Sequence, residues 1–178
     1  MLIALHSIDG SKTALPATMA GLLEVAIQDA RKLDRSIYMP YYNAWHDAHS
    51  SHSYCLVCLA GSVMSGSLKI APSDTISSQS FDRRTEELLD AIDYMRCGLW
   101  RKAFELIFHR TPSLQVLDNL QALPQPSVST FDSWEEFDTH LSSLESMMPQ
   151  LRSIDRAVAR IVKSSLSSSG SPIPASQQ

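Results

Sequence analysis

Basic residues are missing from one long stretch of this chain: between Arg110 and Arg152 there is no lysine or arginine. Glycine is scarce too, at six in 178 residues, and Gly61 and Gly66 do not build the glycine-rich turn that cradles phosphate. The cysteines number three, an odd count that fits a reducing compartment better than a disulfide framework. Long hydrophobic runs are absent as well. The longest, Tyr54 to Met64, is too short to span a bilayer, and residues 1–10 lack the basic start of a secretory signal. A formal net charge of −4 leaves little of the basic surface needed to grip phosphate backbones. These absences predict a cytoplasmic protein with no membrane partner, for which direct nucleic-acid binding is disfavoured.

What is present is helical periodicity. Hydrophobic residues make up 44% of the chain and charged ones 19%, enough for one domain with a sizeable core. Met19, Leu22, Leu23, Ala26, Ile27, Ala30 and Leu33 recur at three- and four-residue steps, with Pro16 placed in the first turn of that helix. Residues 55–66 are apolar or small nearly all round and read as a buried helix, in which Gly61 lets another helix approach closely. A strand over 54–59 alone fits the same run. Phe81, Leu88, Ile92, Met95 and Leu99 form the next stripe, with Gly98 bending or ending it. Pro112 opens a shorter helix carrying Leu114, Leu117 and Leu120. Asp132 and Ser133 stand at an N-cap position, and Trp134, Phe137, Leu141, Leu144 and Met148 follow as a stripe that Leu151, Ile154, Val158 and Ile161 extend. Pro149 either kinks one long helix or begins a second.

The predicted fold class is mainly α: a single compact helical domain over residues 1–166, of about five to six helices. Residues 2–5 form a short N-terminal strand or the start of a helix. Residues 167–178, rich in serine and proline, read as a disordered tail.

The chemistry-bearing residues cluster once. His46, His49, His52, Cys55 and Cys58 follow one another at three-residue steps. Cys55 and Cys58, with two of the three histidines, would supply the four ligands of a structural zinc site. Against this, the residues between and after the cysteines look like helix interior, and zinc half-sites usually lie a dozen or more residues apart. The alternative is two small buried cysteines on a helix entered by a polar loop, and this reading is adopted: no cofactor is assigned and no metal site is committed. A cysteine nucleophile would need a histidine and an orienting group around it. No such motif surrounds either thiol, and no enzyme is predicted. His109 and His140 read as helix-surface residues.

The arginine-free stretch holds Asp118, Asp132, Glu135, Glu136, Asp138 and Glu145. In part these complement a helix dipole, and as a face they could dock a basic groove on a partner. Glu135, Glu136, Asp138 and Glu145 are the candidate contact residues. Arg152, Arg156, Arg160 and Lys163 make one side of the last helix basic, and that helix could also pair with a second copy of the chain.

Trp45-His46, followed by Cys55-Leu56-Val57-Cys58-Leu59-Ala60-Gly61-Ser62-Val63-Met64, resembles a group of small accessory proteins of tailed phages and prophages. Asp90-Ala91-Ile92-Asp93-Tyr94-Met95-Arg96-Cys97-Gly98 resembles a later helix of the same proteins. The two fragments fall within residues 45–98, under a third of the chain. The resemblance brings no assigned activity, so no catalytic residue transfers. It implies a phage accessory gene whose product binds a host or defence component, an anti-CRISPR-like inhibitor being the specific version. A small zinc-stabilised nucleic-acid-binding or regulatory module is the alternative expectation.

Overall fold

The computed structural model describes residues 5–6, 12–13, 15–47, 54–74, 76 and 80–168. Seven helices and two small sheets occur among them: β1 (Leu5–His6), β2 (Lys12–Thr13), α1 (Met19–Arg31), β3 (Tyr38–Pro40), β4 (His46–Asp47), β5 (Cys55–Val57), α2 (Leu59–Ser65), α3 (Arg83–Arg96), α4 (Trp100–Phe108), α5 (Leu114–Gln121), α6 (Trp134–Glu145) and α7 (Met148–Ser168). The protein is a mainly α, compact domain with short strands. β1 pairs antiparallel with β2; in the second sheet β5 lies between β3, parallel to it, and β4, antiparallel. No helix among the described residues is long and apolar enough to cross a membrane.

The main core is a continuous cluster reaching from Leu15 to Val158, with Tyr38, Cys55 and Val57 forming a small second cluster at the three-stranded sheet. α1 is the axis of the main core. It buries the predicted stripe, Met19, Leu22, Leu23, Ala26, Ile27 and Ala30, and packs against α2, α3, α4, α6 and α7. Each aliphatic side chain taken out of water there contributes roughly 1.5–3 kcal/mol. The helix starts are fixed by side chains that accept otherwise orphaned amides. Thr18 Oγ1 takes the Gly21 N–H, Asp82 that of Thr85, Ser113 that of Val116 and Ser133 that of Glu136. Glu136 then reaches back to the Asp132 N–H at 3.1 Å, closing a reciprocal cap.

The α1 N-terminus has a second, distant cap. Asp155, on α7, accepts the Met19 N–H at 2.8 Å with one carboxylate oxygen and the Ala20 N–H at 2.9 Å with the other. The C-terminal end of α4 is met the same way from outside: buried Arg84 donates to the Leu106 carbonyl at 2.7 Å and to that of Ile107.

Several expectations change. The run 55–66 is not one helix: Cys55–Val57 is a strand, Cys58 is the N-cap, and the helix begins at Leu59. What comes close to Gly61 is the Trp45 backbone, not a helix; a Cβ on Gly61 would collide with the Trp45 carbonyl oxygen. Pro16 and Pro112 precede the caps Thr18 and Ser113 instead of occupying first turns. Leu114 is 82% exposed, and Val116 with Leu120 carries the buried side of α5. Gly98, at φ +76°, separates α3 from α4 and leaves Leu99 exposed. Pro149 lies in the first turn of a second helix, so α6 and α7 are separate. α7 continues to Ser168, past the expected end at residue 166. Leu5 is in a strand, whereas residues 2–4 and 169–178 lie outside the described residues.

Candidate functional site

The β4–β5 hairpin positions the histidine–cysteine stretch. Antiparallel register sets His46 opposite Val57 and Asp47 opposite Leu56. This brings the buried His46 ring to the Cys55 thiol, with Nδ1 3.7 Å and Nε2 3.8 Å from Sγ. Tyr38 of β3 meets the same imidazole edge-on. Burial lowers the His46 pKa and pushes the Cys55 thiol up to about 11. Both groups are therefore neutral at pH 7, the reverse of an activated thiolate beside an imidazolium.

Cys58 belongs to different surroundings. Its sulfur accepts the Gly61 N–H at 3.4 Å as the cap of α2, and lies 3.8 Å from Asp93 Oδ1. The Trp45 indole N–H donates to the other oxygen of Asp93. Burial pushes Cys58 up to about 12 and Asp93 up to about 6, the latter despite the indole bond and the nearby Arg96 charge. Trp45, Cys58 and Asp93 thus tie the loop before β4 to α2 and α3. Asp93 escaped the sequence reading; the one signal for it was Trp45, since a covered indole N–H calls for an acceptor.

His46 and Cys55 come together, and Cys58 turns to Asp93. His49 and His52 lie outside the described residues. Among the described residues there is no group of three or more His, Cys, Asp or Glu side chains that could hold a metal ion.

The other two histidines are not alike. His140, expected on the surface, lies on the buried side of α6 against Phe131, with Nδ1 3.0 Å from the Ser127 carbonyl oxygen. Burial lowers its pKa, so the ring is neutral and Nδ1 carries the donated proton. His109 is exposed at the C-cap of α4, 2.5 Å from Glu87, which also receives Arg84 at 3.1 Å. Burial raises the Glu87 pKa, but these two bonds outweigh it and hold the group below the usual glutamate value.

The four acidic candidates line α6 beside the end of α1. Glu135 is exposed, and Glu136 is engaged in the helix cap. Asp138 accepts Arg35 at 2.8 Å, and Arg35 also stacks over the Trp134 ring at 4.4 Å. Glu145 takes a two-pronged pair from Arg31, one arm at 3.1 Å. The Arg31 hydrogen bond lowers the Glu145 pKa. An open groove of about 330 Å³ adjoins this second pair, lined by Ile27, Arg31, Glu145, Met148 and Arg152. Two of the four predicted acidic residues are thus already paired, Glu145 with the last residue of α1 and Asp138 with Arg35 in the segment after it, which no local pattern could disclose.

Comparison with protein-family models, with curated proteins and with solved structures found no match.

Proposed function

We propose that this protein works by binding another protein through the edge where α6 meets the end of α1. The observation that carries this reading is the paired Arg35–Asp138 and Arg31–Glu145 arrangement, with Trp134 under Arg35 and a groove alongside. Charges held in place in the free protein lose less freedom on binding than free ones, and a mixed ionic edge with an aromatic anchor is a common recognition surface. The phage resemblance of residues 45–98 supports a host or defence component as the target, in the cytoplasm of an infected cell, with an anti-CRISPR-like inhibitor as the specific version.

The test is affinity capture from nuclease-treated host lysate, followed by dissociation constants for the captured protein against charge-reversed variants. Glu135→Lys is the clean probe, because that side chain is exposed and reversing it leaves both arginine pairs intact. It is expected to weaken binding about tenfold while lowering the melting temperature by only a few degrees, the cost of a cation in the first turn of α6. The combined reversal of Glu135, Glu136, Asp138 and Glu145 is expected to abolish it. Affinity unchanged in both variants defeats the reading.

A further inference from the structure

α7 starts inside the molecule and finishes outside it. Leu151, Ile154 and Val158 are buried, Val162 is half-buried, and every residue from Lys163 to Ser168 is exposed. At 1.5 Å per residue, the helix runs about 9 Å past its last core contact. On its outer side Arg152, Arg156, Arg160 and Lys163 recur at steps of four, four and three, which places them on one ridge.

All four cations are exposed, and none is ion-paired with a described residue. Arg156 donates only to the neighbouring Ser153 hydroxyl, at 3.2 Å. Asp155, the one carboxylate on this helix, is turned into the α1 amides. Elsewhere Arg31, Arg35, Arg83, Arg84 and Arg101 each have a carboxylate. The ridge is therefore a concentration of positive charge outside any salt bridge among the described residues, with Asp155 the one carboxylate that Arg156 acts on, on a chain whose net charge is −4. Leu166, 71% exposed, stands four residues after Val162 and three after Lys163, between the apolar stripe and the ridge.

We propose that the second half of α7 is a docking surface for an acidic amphipathic helix of a partner protein. Carboxylates at four-residue spacing on that helix would meet Arg156, Arg160 and Lys163, and an aliphatic side chain would cover Leu166. Charge complementarity specifies the carboxylates. The apolar residue favours a protein segment over a phosphate backbone, which gains nothing from Leu166. Arg156, Arg160, Lys163 and Leu166 lie further along α7 than Met148 and Arg152, which line the groove beside α6, so this surface is tested by different substitutions.

The test uses the full chain and a fluorescent helical peptide of about 20 residues, with leucines at i, i+3, i+4 and i+7 and glutamates on the flanking face. Single-stranded DNA and phosphatidylserine-containing vesicles serve as competing probes. The peptide is expected to bind, with affinity falling as salt rises. Arg156→Glu combined with Arg160→Glu is expected to weaken binding by about tenfold or more, and Leu166→Ser by a few-fold, with unchanged circular dichroism in both. No peptide binding, an affinity indifferent to the double reversal, or tighter binding of DNA or vesicles would each overturn the proposal.

Discussion

Asp93 and Asp155 sit far apart in the sequence but face the same problem, a carboxylate drawn out of water. Burial raises both to about 6 from an ordinary 3.8, although each accepts hydrogen bonds that pull the other way. Because the folded pKa lies above the unfolded one, the folded protein holds the proton more tightly. That contribution is fully present below about 4 and is lost as pH rises through about 6. His46 and His140 work oppositely: their folded pKa is depressed, so their contribution is present above the unfolded value of 6.5 and is lost on acidification. A comparison of wild type with Asp93→Asn isolates the aspartate, since the histidines are common to both. Between pH 7 and pH 5 the wild type is expected to gain about 1 kcal/mol over the variant, read from urea unfolding at the two pH values. A difference between the two proteins that does not change with pH would refute the assignment.

At the scale of the element, helices were legible and strands only as alternatives, since the runs 54–59 and 2–5 each fit a strand or a helix. The α1 stripe repeats every three or four residues and needed no partner to be recognised. β5 is held instead by Tyr38 pairing with Cys55 and by His46 pairing with Val57, contacts that leave no mark in a run as short as Cys55-Leu-Val. The same limit explains Gly61, whose neighbour is a backbone carbonyl sixteen residues earlier. Gly61→Ala is accordingly expected to cost about 3 kcal/mol or more, since the Trp45 carbonyl must move. Leu114→Ala, at a position the pattern had placed on a buried stripe, is expected to change stability by less than about 0.5 kcal/mol. Chemical denaturation of the two variants checks both, and a reversed order would contradict the placement of β4 against α2.

For the molecule as a whole, the unbroken core from Leu15 to Val158 predicts all-or-none unfolding. Calorimetric and van't Hoff enthalpies are expected to agree; two separable transitions would mean that the helices form more than one cooperative unit. The acidic character of α6 could be read from composition, but its compensation by Arg31 and Arg35 could not, because the partners are more than a hundred residues apart. The His46–Cys55 contact is nine residues long in sequence and was within reach; the diversion of Cys58 to Asp93 was not.

The Asp155 cap also carries a consequence for how the chain is made. The amides it receives at Met19 and Ala20 leave the ribosome some 135 residues before it does, an interval of roughly 10 seconds at the usual pace of synthesis. Until α7 emerges, the axial helix of the core lacks both this cap and the part of its packing that α7 supplies. A nascent chain stopped short of α7 would therefore expose part of the apolar face of α1 to chaperones and proteases.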